Sequence, residues 1–279
     1  MKGNKITEAL ELAKRQGRKA FVPFNVLGYP DKDTCKRSLI ALARAGATAL
    51  EIGLPFSDPI ADGPVIQEAS HKVLDTGFTF SDALKIIRDV RDECPDIALN
   101  VLTYYNLALS KGPKEFFAAL KVAGVDGLTF VDLPVEEIDE IYEVLLECEL
   151  VPIMLISPLT PEPRIKKILN YAQGFVYLVS RAGITGMHES YQKNLAQKIE
   201  FIKQEKEIAV LVGFGISNPQ QAKKMTSLGA DGVIVGSKIV DLISKVEASE
   251  ISTTLESYTK ELLDGINDQS LLTTAADHI

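Results

Sequence analysis

One short unit repeats along the chain: a β-rich apolar run followed by a segment of helical period. The runs are FVPFNV (21–26), TALEIGL (48–54), ALNVLTY (98–104), GLTFVDL (127–133), VPIMLIS (151–157), FVYLVS (175–180), IAVLVGFG (208–215) and GVIVGS (232–237). Most are nearly continuous apolar stretches, as a parallel strand covered on both faces requires. In the intervening VEEIDEIYEVLLEC, Ile138, Ile141, Leu145 and Cys148 recur at three- and four-residue steps, one stripe of a helix. Polar residues mark helix starts: Thr160 before Pro161, Ser217 three residues ahead of Gln220 as a capping box, and Ser81 with Asp82 opening SDALKIIRDV, where Ala83, Ile87 and Val90 form the stripe. Eight strands alternating with helices predict an α/β fold, a (β/α)8 TIM barrel, because right-handed βαβ units close a parallel sheet after eight repeats. A doubly wound open sheet is the rival. No GxGxxG follows the first strand, and no Pro/Gly/Ser-rich linker divides the chain, so residues 1–279 are read as one barrel domain. An extra helix over Ile6 to Gln16 is expected to cover the barrel bottom. The segment from Ile239 to Ile266 is expected to be helical, and roughly 267–279 to be a frayed tail.

Composition narrows the function classes. A net charge of −8, from 38 Asp+Glu against 30 Lys+Arg, opposes a general nucleic-acid or anionic-membrane surface. An anionic ligand must then be held by local groups. Cys35, Cys94 and Cys148 fit no paired framework or zinc spacing, and His71, His188 and His278 fit no metal motif, so buried small hydrophobes in a reducing cytoplasm and no metal site are expected. No signal peptide or membrane span is read from the sequence.

In a barrel of this kind chemistry belongs to the loops after strands. The stretch EIGLPFSDPIADGP, Glu51 to Pro64, follows the second strand. Period-2 geometry puts Glu51 on the face opposite Leu50 and Ile52, inside the barrel if the aliphatics pack on helices. A carboxyl there needs either a partner, such as an interior Lys, Arg or Tyr, or a chemical role as a general acid and base with raised pKa. Asp58, before Pro59, reads as a turn former bonding its own backbone, with a functional role as the alternative. Asp62, before Gly63 and Pro64, reads equally as an Asx turn, a helix cap or a site residue. Small residues crowd the last three strand-ending loops, SRAGITGM, GFGISN and VGSK. Gly213, Gly215, Gly236 and Ser237, joined by Gly183, Thr185 and Gly186, are a candidate phosphate cradle, since phosphates commonly sit by the loops after strands seven and eight. Lys238 either adds a charge to it or points outward.

These residues resemble the α subunit of tryptophan synthase. The likeness runs from FVPFNVLGYP (21–30) through EIGLPFSDPIADGP, LTYYN (102–106), GVDGLTFVDLPVEE (124–137) and GFVYLVSRAGITG (174–186) to VGFGIS (212–217) and DGVIVGS (231–237). The resemblance implies a lyase that cleaves indole-3-glycerol phosphate to indole and glyceraldehyde 3-phosphate without metal or organic cofactor. By the same resemblance Glu51 is the acid/base, Asp62 accepts the indole N–H, and Tyr177 stands near the acid/base. Phe24, Leu102 and Phe214 would surround the indole. The phosphate would meet backbone N–H groups of Gly186, Gly215 and Gly236 and the Ser237 hydroxyl. A β subunit is implied as partner in an α2β2 complex, facing the loop with Pro55, Asp58 and Pro59 and the segment that begins at Asp132. The SRAGITGM loop would close over substrate, with Thr185 bonding Asp62. Lys238, Thr103, Leu107 and the GMHES continuation depart from the family's frequent patterns, away from the acid/base pair. Three other readings stay open: a stand-alone indole-releasing lyase, another phosphate-binding barrel isomerase or synthase, and an idle barrel that only activates a β subunit.

Overall fold

The structure, a computed structural model, describes residues 3–180 and 189–267. Strands β1 (Ala20–Val26), β2 (Ala49–Gly53), β3 (Ala98–Thr103), β4 (Gly127–Phe130), β5 (Val151–Pro152), β6 (Met154–Ile156), β7 (Phe175–Val179), β8 (Ala209–Gly213) and β9 (Gly232–Val235) form one sheet. Their order is β5-β4-β3-β2-β1-β9-β8-β7-β6, and every pairing is parallel. The two ends of this order, β5 and β6, are halves of a single run, VPIMLIS, interrupted at Ile153. The first half pairs with β4 and the second with β7, so this run closes the barrel. That break departs from the single fifth strand expected. Pro152 has no N–H to give, and Ile153 carries the ladder on by donating to the Leu128 carbonyl at 2.9 Å. The remaining runs lie where the sequence puts them, shorter at the ends that enter loops.

The outer face of the wall is apolar because helices cover it: Leu50, Ile52, Leu99 and Val101 are fully buried. The expected extra helix is α1 (Lys5–Arg15), which closes the barrel at the strand starts. The Asn4 side chain accepts from Ile6 N at 2.9 Å and donates to the Asp126 carbonyl at 2.9 Å, tying the helix start to the strand layer. Ile6 is fully buried beneath Gly127, where any side chain would collide with its Cδ1. Beside this plug Asp126 accepts from Arg91 Nη2 at 2.6 Å and from Leu99 N at 2.9 Å. The bottom of the barrel is thus held by buried apolar packing and one enclosed ion pair.

Three helix starts differ from expectation. Thr79, not Ser81, caps α4 (Phe80–Glu93), and Asp82 completes the capping box. Asn218, one residue after Ser217, caps α10 (Pro219–Ser227) by accepting from Gln221 N at 2.9 Å. Thr160 leaves α8 (Glu162–Tyr171) without a side-chain cap and instead accepts from Ser157 N in the preceding loop. Neighbouring polar residues compete for the same unpaired N–H groups, and tertiary packing picks among them. The 239–266 segment is two helices, α11 (Ser237–Lys245) and α12 (Ile251–Asn267). Cys35 and Cys94 are buried and Cys148 half-buried, all with free thiols. Among the described residues no helix is long and apolar enough to cross a membrane, and no group of three metal-binding side chains occurs.

Candidate active site

Glu51 lies mid-strand in β2, in register with Phe24 of β1 and Asn100 of β3, and only 1% exposed. Among the described residues no cation pairs with it. Its Oε1 accepts from Asn100 Nδ2 at 3.0 Å, and the same amide nitrogen donates to Thr129 Oγ1 of β4 at 2.9 Å. Burial disfavours the charged carboxylate and lifts the pKa to about 8; the Asn100 hydrogen bond works against the rise and the nearby charge of Asp62 adds to it. A carboxyl in this setting is protonated at neutral pH and within reach of losing its proton.

Asp62 stands in the loop between β2 and α3 (Pro64–Asp75). That helix has Gly63 as its N-cap and no side-chain cap bond, so Asp62 is not the cap. Its backbone N–H closes a turn onto the Pro59 carbonyl at 3.0 Å. The carboxylate is left to accept from the Tyr104 hydroxyl at 3.1 Å. Burial raises the Asp62 pKa, and the Tyr104 bond opposes this. Tyr104 also accepts from Ala61 N at 3.1 Å and stacks on Phe56 with ring centroids 4.8 Å apart, which fixes its hydroxyl under the loop. Asp58 is exposed and lies in a turn, its carbonyl accepting from Ile60 N at 2.9 Å, but its carboxylate accepts from the Ser57 hydroxyl at 2.6 Å rather than from its own backbone as expected.

Two glycines let aromatic rings lie across the barrel mouth. A Cβ on Gly53 would sit 2.5 Å from Phe24 Cζ, and one on Gly213 would sit 2.5 Å from the Tyr177 hydroxyl. Tyr177 is 4% exposed and its centroid is 5.6 Å from the Phe214 ring. Burial, then the charges of Glu51 and Asp62, hold the Tyr177 phenol well above its usual range, so it stays neutral. Leu102, at the end of β3, is 6% exposed. Phe214 has φ 72, a backbone conformation rare for a residue with a side chain, and Gly215 follows at φ 82. Ser180 N donates to the Gly213 carbonyl at 2.8 Å and the Ser180 hydroxyl faces the Gly213 and Phe214 carbonyls, which braces this turn.

Of the phosphate cradle, Gly236 is the N-cap of α11 and Ser237 its first residue, so unpaired N–H groups open there. Gly183, Thr185 and Gly186 lie outside the described residues. Lys238 points outward: it pairs with Asp241 at 3.8 Å and lines a surface groove with Pro219 and Ser257. In the expected partner face Pro55 and Pro59 are buried within the chain, whereas Asp58 and Asp132 are exposed. Asp132 also accepts from Tyr105 N at 2.7 Å at the start of α5 (Tyr105–Lys111). Sequence reasoning gave no role to Asn100 or Tyr104. A lone amide inside ALNVLT was as visible a signal as Glu51 inside ALEIG.

The barrel therefore holds two carboxyl groups in unlike settings, one enclosed and one loop-borne, under a roof of aromatic rings. The family profile described as tryptophan synthase alpha chain matches residues 10–267. The tryptophan synthase alpha chain of Synechococcus elongatus is 38% identical over 267 residues, which are 96% of this chain and 98% of that one. That of Arabidopsis thaliana is 37% identical over 260 residues, 92% of this chain and 94% of that one. The crystal structure of the Legionella pneumophila alpha chain superposes with a TM-score of 0.87 at 29% identity, covering 96% of this chain and 99% of that chain. A chain of Mycobacterium tuberculosis tryptophan synthase does so at 0.83 and 27%, covering 95% and 100%. With the profile spanning nearly its whole length and relatives this similar end to end, the chain belongs to the tryptophan synthase alpha chain family.

Proposed function

We propose that this chain cleaves indole-3-glycerol phosphate to indole and glyceraldehyde 3-phosphate and passes indole to a tryptophan synthase β chain. The observation that carries the chemistry is Glu51, a buried carboxyl with no cationic partner among the described residues and a pKa of about 8. Protonated Glu51 gives its proton to C3 of the indole, and the ring becomes a cation whose N–H donates to ionised Asp62. Glu51, now a carboxylate, takes the proton from the hydroxyl on the side-chain carbon bonded to the ring. The carbon–carbon bond breaks, its electrons return to the ring, and the side chain leaves as an aldehyde. One proton has moved from hydroxyl to ring carbon, so the step balances without an oxidant or cofactor.

Phe24, Leu102 and Phe214 are assigned to the indole and Tyr177 to the edge of the acid/base. The phosphate is assigned to the Gly215 and Gly236 N–H groups and the Ser237 hydroxyl, with Thr185 and Gly186 contributing from their loop. For the β chain, in an α2β2 assembly, the exposed Asp58 and Asp132 and the 84% exposed Ile60 offer a mixed apolar and acidic face. Pro55 and Pro59 shape that face from beneath. Free thiols and an acidic surface suit the cytoplasm.

The test is indole release from indole-3-glycerol phosphate, with and without a β chain. Release is expected, and Glu51→Gln is expected to lower it by at least about a hundredfold while a non-cleavable substrate analogue still binds. No release under either condition, or near-normal turnover by the variant, refutes the reading.

A further inference from the structure

The mechanism leaves unused the buried amide that touches Glu51. Asn100 is fully buried in β3, between Glu51 of β2 and Thr129 of β4. Its Nδ2 spends both hydrogens, one on Glu51 Oε1 and one on Thr129 Oγ1. Its Oδ1 has no hydrogen-bond partner. It lies over Gly127, where an added Cβ would come within 3.2 Å of it. A buried amide oxygen without a partner is costly, and an aliphatic side chain would fill the wall without that penalty.

The amide has two orientations of similar cost. As it stands, Nδ2 donates to Glu51 Oε1, which suits the carboxylate best because both of its oxygens only accept. A half-turn of the amide puts Oδ1 in the same place, where it accepts from the O–H of a protonated Glu51. Thr129 follows in either case, because a hydroxyl accepts from Nδ2 or donates to Oδ1. Each orientation leaves one amide atom over Gly127 without a partner, so neither is favoured except by the state of Glu51.

We propose that Asn100 is a positioning residue that holds Glu51 in one place through both of its charge states, as donor to the carboxylate and, after a half-turn of its amide, as acceptor from the acid. The Glu51 described above gives up a proton and takes one back within a turnover, and a fixed donor would leave the buried O–H of the acid form without an acceptor. The proposal rests on the acid/base reading of Glu51. The other titratable groups facing Glu51 are Asp62 from the following loop and Tyr177 from β7, and neither is within hydrogen-bond contact of it. Tyr104 faces Asp62 rather than Glu51.

Two measurements test this. In the pH profile of kcat/KM for indole release, wild type should lose activity on the alkaline side as Glu51 loses its proton. Asn100→Leu removes a partner of both forms of Glu51, so the rate should fall while that limb stays within about half a pH unit of its wild-type position. A limb that moves up by about one to two pH units means that Asn100 serves only the carboxylate, and overturns the proposal. The second measurement needs neither activity nor a variant that folds: NMR of the wild-type Asn100 side-chain NH2 signals against pH. They should change with the midpoint of the Glu51 carboxyl signal. Signals that stay flat across that midpoint overturn the proposal. A chain that releases no indole would refute the assigned reaction, and the NMR result would still decide the role of Asn100.

Discussion

Replacing Glu51 by glutamine should change how stability depends on pH, and the size of the effect follows from the burial of that carboxyl. In the folded chain Glu51 keeps its proton up to about pH 8, whereas in the unfolded chain it ionises near its ordinary 4.5. Below the lower value both states are protonated, and the contribution of the group is fully present. As pH rises through the interval the unfolded chain has lost a proton that the folded chain retains, so stability falls, and the fall ends once the folded carboxyl also ionises. At about 1.4 kcal/mol per pH unit, the interval amounts to about 5 kcal/mol, comparable with the whole stability of many domains. The glutamine side chain keeps the shape and the Asn100 hydrogen bond but does not titrate. Asp62 and Asp126, whose pKa values burial also raises, are present in both proteins and largely cancel in the comparison. The variant should therefore gain on wild type as pH rises, by about 4 kcal/mol between pH about 5 and about 8.5. Urea unfolding followed by far-UV circular dichroism at those two values and at one between them gives the difference directly. A difference constant to within about 1 kcal/mol would mean that Glu51 ionises in the folded chain near its ordinary value, and the argument for a buried neutral acid would fail.

Two further substitutions separate the site from its scaffold. Asp62→Asn should lower indole release by about a hundredfold or more while leaving the melting curve nearly unchanged, because Asp62 does not cap α3; an unaltered rate would return Asp62 to its loop. Gly213→Ala introduces a Cβ 2.5 Å from the Tyr177 hydroxyl, so it should cost about 1–3 kcal/mol in unfolding free energy and shift the Tyr177 ring. A variant of normal stability and normal KM would show that the ring has room to spare.

Much of this was legible in the chain itself. Continuous apolar runs at regular spacing specify parallel strands covered on both faces, and Glu51 among aliphatics points to a buried carboxyl whichever sheet contains it. Helix starts were legible only to within two residues, as Thr79 and Asn218 show, because adjacent polar residues offer nearly equal caps. The ambiguity of Asp62 had the same origin. An Asp before Gly-Pro suits a turn, a cap or a site, and it was a tyrosine 42 positions away that took its carboxylate.

What the sequence determined by itself is local: which residues face which way along a strand, which loops follow strands, and which side chains carry charge. Those follow from the two-residue period of extended backbone and from the composition of each run. The tertiary structure decided which of them meet. Glu51 and Asn100 are 49 residues apart and are brought side by side by the β2–β3 register. A one-residue slip of that register would turn Asn100 to the helices and leave Glu51 without a donor. Barrel closure through the interrupted VPIMLIS run and the α1 plug beneath Gly127 are likewise pairings between distant segments. No local pattern encodes them, because their free energy is gained only when the whole sheet closes.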